Sequence, residues 1–183
     1  GVASVHGRNW GDEKVVNAPA DRRRVRIDGV DAGYLELRNW RIVAGRSIRP
    51  LDVENRSRVA VVGAEMATNL FGSVAPVGQL ITIDGVRFRV IGVVAPIEFD
   101  IIPADFDWVG RRIYIPYSYL TRYAKGEGRL DEALVTARLS AEFGDVLRRG
   151  TALVRQRHGG TVDFTTQNEA AEVLSNLAMA DDI

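Results

Sequence analysis

The chain has no cysteine among its 183 residues. That excludes disulfides, thiolate zinc sites and cysteine nucleophiles, and it leaves the redox compartment open. No apolar run approaches the roughly 18 residues that a membrane-spanning helix needs. Gly1-Val2-Ala3-Ser4-Val5 has neither the basic nor the apolar region of a signal peptide. An excess of one charge is missing too, because 24 basic and 24 acidic residues cancel. A dedicated nucleic-acid binder carries a basic excess that neutralises phosphates, so nucleic acid is not an expected partner.

The usual chemical motifs are also absent. His6 and His158 are far apart and have no partner motif, so they read as a surface residue and a helix-end residue, not as metal ligands. Val62-Gly63 stands between a strand pattern and a helix pattern, where a dinucleotide fingerprint would lie. The Gly-x-Gly-x-x-Gly is missing there, and Glu65 would repel phosphate. There is no P-loop and no Gly-x-Ser-x-Gly elbow. The acidic pairs Asp105/Asp107 and Asp181/Asp182 read as solvated carboxylates in preference to an acid–base pair. No catalytic, cofactor-binding or metal-binding residue is assigned, and no cofactor is expected.

What is present is ordinary globular composition, 46% hydrophobic and 26% charged. The length suits one domain or two small lobes. Gly1–Val5 reads as a short strand and the polar stretch Gly7–Ala20 as a loop. Val25-Arg26-Ile27 reads as a strand entering a turn at Asp28-Gly29. Tyr34, Leu37 and Trp40 have helical spacing, and residues 45–57 read as a connecting loop. Arg58–Val62 is a β-branched run suited to a strand buried on both faces. Met66/Leu70 and Ala67/Phe71 then switch to helical spacing, stopped by Gly72.

Asp84-Gly85 between Gln79–Ile83 and Val86–Val94 is a strong hairpin signal, because a type I′ turn needs positive φ at both positions. Residues 95–110 read as a long loop, Arg112–Ile115 as a strand, Tyr117–Tyr123 as a helical turn and Lys125–Arg129 as a turn. Glu132–Leu139 reads as a strand and Ala141–His158 as the longest helix, with Phe143, Val146, Leu147 and Val154 near one face. Val162–Thr165 reads as a strand, and Asn168 as the N-cap of a helix over Glu169–Met179. Arg22-Arg23-Arg24 and the Arg148/Arg149/Arg155/Arg157 helix face read as solvated surface, with anionic lipid or an acidic partner as the alternative.

The middle of the chain carries an ordered series of motifs: Trp40–Arg46, Asp52, Val59–Gly63, Leu70-Phe71-Gly72, Pro76-Val77-Gly78, Ile81–Gly85 and Phe88–Val93. Arg157-His158-Gly159 and Asp163-Phe164-Thr165 follow near the end. In order and spacing this series resembles the periplasmic core domain of MacB-like ABC transporter permeases. The resemblance implies an α+β fold of two lobes. A porter-like α+β lobe would come from residues 1–50 and 128–183, and a β-rich, sabre-like lobe from 51–127 would be inserted in it. It places the domain on the extracytoplasmic face, between two membrane helices of a longer polypeptide, which fits the abrupt ends of the sequence.

The role implied is mechanotransmission. ATP would be hydrolysed by a separate nucleotide-binding domain or subunit, and the motion passed through the membrane helices of the same polypeptide to this domain. The implied partners are those helices, the ABC ATPase, a periplasmic adaptor or lipoprotein, and a second transporter copy in a dimer. The resemblance transfers no catalytic residue. A stand-alone extracellular binding module is the alternative, with a small hydrolase using the 95–110 carboxylates behind it.

Overall fold

Period-two alternation and turn chemistry build most of the elements. The computed structural model describes residues 2–95, 108–125, 130–139, 142–161 and 163–168. Its strands are β1 (Val2–Asn9), β2 (Glu13–Asn17), β3 (Arg22–Val30), β4 (Arg41–Gly45), β5 (Val59–Gly63), β6 (Leu80–Ile83), β7 (Val86–Ala95), β8 (Ile113–Pro116) and β9 (Glu132–Ala137). Its helices are α1 (Tyr34–Leu37), α2 (Pro50–Glu54), α3 (Ala64–Phe71), α4 (Tyr117–Leu120), which runs into a π-helical turn at Thr121–Lys125, and α5 (Phe143–Arg157).

The strongest local signals form as expected. Asp84 and Gly85 have φ of 44° and 84°, and the two arms pair Ile83 with Val86 and Ile81 with Phe88. Phe88 and Val90 are buried while Arg87 and Arg89 are exposed. Ala60, Val61 and Val62 of β5 are all fully buried. α3 buries Met66, Ala67, Leu70 and Phe71, and it stops at Gly72, whose φ is 57°.

Six of the strands close into a ring. β3 pairs with β2 and β8, β8 with β5, β5 with β7, β7 with β6, and β6 returns to β2. Val16, Ile27, Ala60, Val62, Ile81, Phe88, Val90 and Ile113 of these strands share one buried cluster with Leu70 and Phe71 of α3. The other face of the ring carries a second cluster, in which Val61, Val94 and Tyr114 meet Tyr34, Leu35, Trp40 and Ile48. β4 attaches to β7, and β1 and then β9 continue outward from β3.

The chain divides into two compact units, Val5–Val135 and Gly1–Ser4 with Thr136–Ile183. In the ring, β2 and β3 from the first 50 residues are hydrogen-bonded to β6 and β8 from the segment 51–127. In the smaller unit the Ser4 and Thr136 hydroxyls lie 2.7 Å apart. None of the α5 side chains is buried among the described residues, and Leu147, Leu153 and Val154 are exposed. No helix among the described residues is long and apolar enough to cross a membrane.

Several local expectations are corrected. The stretch Gly7–Ala20 is not all loop: it holds the end of β1 and the whole of β2, because pairing with β3 outweighs its polar composition. Asp28-Gly29 is not a turn, since β3 runs through it to Val30. A Cβ on Gly29 would come within 2.9 Å of the Tyr117 backbone, so this glycine serves a close approach. Within 45–57 the chain makes α2, and residues 163–168 form no strand. The larger part of the 95–110 loop with Asp105 and Asp107, the turn residues 126–129, and the expected helix over 169–179 with Asp181/Asp182 lie outside the described residues.

Two glycines give a direct test of this packing. Gly45 has φ of 71°, and a Cβ there would sit 2.2 Å from the Ile91 carbonyl oxygen. Gly150 lies inside α5 with open space around it. Gly45→Ala is expected to cost about 2–3 kcal/mol. Gly150→Ala is expected to stabilise its helix by about 0.5–1 kcal/mol. Urea unfolding followed by circular dichroism reads both, and equal effects of the two would refute the packing role of Gly45.

Candidate functional site

Where β1, β3, β8 and β9 approach one another, the larger unit holds a network of charges. Asp28 lies in β3 with no exposed surface. Its Oδ2 accepts from Arg8 Nη2 at 2.9 Å and from Arg112 Nη1 at 2.7 Å. Its Oδ1 accepts from the Gly11 backbone N–H at 3.2 Å. Arg8, from β1, is itself only 6% exposed. Its Nη1 donates at 3.3 Å to Glu132 of β9 and to the Tyr34 hydroxyl of α1. Arg38 completes the group, with Nη2 donating to Glu132 Oε1 and Nε donating to the Tyr34 hydroxyl at 3.1 Å.

Aromatic rings wall this network. The guanidinium carbons of Arg112 and Arg8 lie 4.1 and 5.1 Å from the Trp108 ring centre. Such desolvated cation–π contacts contribute roughly 1–2 kcal/mol each. Trp40 packs against Trp108, Tyr114 and Tyr34, with ring centres 5.2, 5.6 and 6.0 Å away. Burial disfavours the Arg8 cation, but Asp28, Tyr34 and Glu132 outweigh it and hold its pKa above the ordinary value. Burial pushes the Tyr34 and Tyr114 phenols up, so both stay neutral donors.

The network is full of ion pairs and has no vacant acid, base or nucleophile. A buried pair costs much of its Coulomb energy in desolvation, so its main product is fixed geometry. Arg8 Nε is one buried donor with no partner in the structure. A neighbouring brace joins Arg46, just after β4, to Asp52 of α2 through two bonds of 2.6 and 3.2 Å, and the Arg49 N–H adds a third at 2.9 Å. Burial would raise the Asp52 pKa, but the bonds from Arg46 and the Arg49 N–H prevail and hold it below the carboxylate range.

The residues weighed from sequence fall elsewhere. His6 Nδ1 bonds the Ala32 carbonyl, and His158 pairs with Asp163 on the surface of the smaller unit. Among the described residues no cluster of three metal-ligating side chains forms. Gly63 packs against the backbone of Gly110, where a Cβ would meet an oxygen at 2.3 Å, and Glu65 is half exposed beside Arg111. Arg22, Arg24 and Arg26 point to solvent along β3, while Arg23 pairs with Asp21. Arg148 and Arg149 both pair with Asp145. The residues missed were Arg8, Asp28, Arg38, Arg112 and Glu132. The available signal was a lone Asp in a strand pattern that continues through Val30.

A family model described as the MacB-like periplasmic core domain matches residues 2–152. The chain belongs to that family. Among curated relatives, the macrolide export ATP-binding/permease protein MacB of Chlorobaculum tepidum is 34% identical over 72% of this chain and 20% of its own length. The pyoverdine export ATP-binding/permease protein PvdT of Pseudomonas fluorescens is 31% identical over 80% of this chain and 22% of its own length. The chain thus spans about a fifth of the length of these relatives. Among solved structures, the periplasmic region of MacB from Actinobacillus actinomycetemcomitans superposes with a TM-score of 0.76, at 19% identity over 95% of this chain and 75% of that one. The extracellular domain of the noncanonic ABC-type transporter YknZ from Gram-positive bacteria gives 0.74, at 18% identity over 92% and 82%. These two show a shared mixed α/β fold.

In this MacB-like domain the motif residues quoted from the sequence have structural reasons. Trp40 joins the aromatic wall, Arg46 and Asp52 form the brace, and Gly45 and Gly92 face each other where β4 crosses β7. Two predictions follow from the charges. Asp28→Asn leaves the buried Arg8 and the partly buried Arg112 under-neutralised and is expected to cost about 3–5 kcal/mol in urea unfolding, a range set by broken buried pairs. A loss near that of an exposed residue would show the network to be slack.

The second concerns pH. A carboxylate whose folded pKa is depressed adds stability above its unfolded value, about 3.9, and loses it as pH falls through the lower folded value. Asp52→Asn is therefore expected to lower stability at pH 7 and to converge on wild type as the pH falls below that window. A mutant deficit unchanged down to pH 2 would contradict the sign.

Proposed function

We propose that this chain is the extracytoplasmic domain of an ABC transporter permease and that it acts by passing on movement, with no catalysis of its own. Membership of the MacB-like periplasmic core domain family, over residues 2–152, carries the reading. The names of the relatives, macrolide export and pyoverdine export ATP-binding/permease proteins, support export as the class of work. In this reading ATP is hydrolysed by a nucleotide-binding domain or subunit on the other side of the membrane. Membrane helices of the same polypeptide transmit the motion, and a second copy and a periplasmic adaptor or lipoprotein complete the assembly.

The same reading carries a porter-like lobe from residues 1–50 and 128–183 with an inserted β-rich, sabre-like lobe from residues 51–127. Among the described residues the carboxylates of this network are all engaged by Arg8, Arg38 or Arg112, and such fixed pairs supply shape, which supports a mechanical role over an enzymatic one.

The lack of native cysteine in this chain permits a simple test. Ser73 is exposed in the turn after α3. Ser73→Cys in the full-length protein is expected to react with a membrane-impermeant maleimide in intact cells, above the level seen in the parent. Labelling that appears only after the inner membrane is broken would overturn the extracytoplasmic placement.

A further inference from the structure

We propose that Arg8 is a positioning residue that clamps β1 and β9 to the barrel, so that movement delivered along these two strands reaches the ring of six. The inference rests on the transporter reading above and assigns its coupling to particular side chains.

Backbone pairing ties β1 to β3 over only a short stretch, Arg8 with Val30 and Asn9 with Gly29, helped by the Asp31 N–H bonding the Gly7 carbonyl. Its other edge is hydrogen-bonded to β9, and the chain runs on through Trp10–Asp12 into β2. A pull along β1 therefore reaches the ring through these few bonds and that short connection. The Arg8 side chain multiplies the attachment. Through Asp28 it reaches β3 and then Arg112, which leads into β8, and through Glu132 it reaches β9 and then Arg38 beyond α1. Asn9 adds a second tie, donating at 2.8 Å to Thr121 and accepting at 3.0 Å from the Asp131 N–H. β1 and β9, hydrogen-bonded to each other, are thus tied by side chains to Asp28 of β3 and to Arg112 beside β8.

The chemistry suits a load-bearing joint. Guanidinium–carboxylate bonds are directional, and a fork engaged on two carboxylates resists sliding in more than one direction. Trp108 lies against Arg8 and Arg112 and covers the Asp28 end of the joint, where low exposure strengthens the bonds. Replacing Arg8 alone by an apolar group leaves the buried Asp28 carboxylate with fewer donors and destabilises the fold, so stability by itself does not separate the two roles. Loss of transmission beyond that of a variant destabilised elsewhere does.

The test uses the full-length transporter in lipid nanodiscs and hydrogen–deuterium exchange, with and without MgATP plus vanadate. Two variants are compared with wild type. Arg8→Met removes the joint, and Glu132→Gln, at a partly exposed position, loosens the link to β9 while leaving Asp28 paired should Arg8→Met fold poorly. Leu70→Ala in the barrel core serves as a destabilised control that leaves the joint intact.

In wild type and in Leu70→Ala, nucleotide is expected to change exchange in β1, β9, β5 and β8 alike. In the joint variants the change at β5 and β8 is expected to fall roughly tenfold while ATP hydrolysis continues and β1 still responds. Wild-type transmission to β5 and β8 in both joint variants would overturn the clamp and leave the transporter reading standing. A wild-type protein whose domain shows no nucleotide response at all would overturn that reading, and the clamp with it.

Discussion

A carboxylate with no access to water governs the architecture of the larger unit. Asp28 sits in β3 fully buried, and an ion in that position is tolerated only where its lone pairs are occupied by well-placed donors. Three donors arrive from three different places, β1, the bend at Gly11 and the residue that leads into β8. Each imposes a constraint. Gly11 must lack a side chain, because a Cβ would fall 1.4 Å from the Ile27 carbonyl oxygen. β8 must run parallel to β3 in the register Asp28 to Tyr114, which brings Arg112 alongside. β1 must enter with Arg8 opposite Val30. The aromatic wall then covers the Arg8 and Arg112 guanidinium groups that meet Asp28.

This dependence explains which parts of the fold could be read from the sequence. β5, α3 and the Asp84-Gly85 hairpin declare themselves within windows of ten residues, because their signals are spacing and turn chemistry. The charge network does not. Asp28 and Arg112 are 84 residues apart, and Arg8 and Glu132 are 124 apart. Local pattern made Asp28-Gly29 a turn because that dipeptide favours turns in solvent. The strand won because burial with three donors satisfies the carboxylate better than a turn would satisfy the backbone. β2 was hidden for a similar reason, since Glu13, Lys14 and Asn17 read as loop while only Val16 faces the core. The ring itself is a set of pairings among distant segments, and no composition marks it. The ordered motifs Trp40–Arg46, Asp52 and Val59–Val93 pointed to the family correctly, and the structure supplies their physical content as packing and bracing.

The units differ in how they are held. The barrel has an apolar core on each face of its wall, with Leu70 and Phe71 on one side and Tyr34 and Trp40 on the other. α5 has no fully buried side chain, an interior glycine at 150 and ion pairs from Asp145 that lie at the surface, where they contribute at most a few tenths of a kcal/mol. A short helix of that kind gains little from its own sequence and depends on packing for its order.

A buried ion network is a poor way to increase equilibrium stability, since an apolar core of equal volume does as well or better. Its distinctive property is the steepness of its response to displacement. Apolar contacts can slide past one another at nearly constant buried area, whereas a guanidinium fork moved by about an ångström loses distance and angle together. A domain that only had to stay folded would gain nothing from that steepness. A domain that must keep the ends of its first and last strands in register with its core while load passes through them does gain from it. The placement of Arg8 at the root of β1, joined at once to β3, β8 and β9, is where such a property has mechanical use.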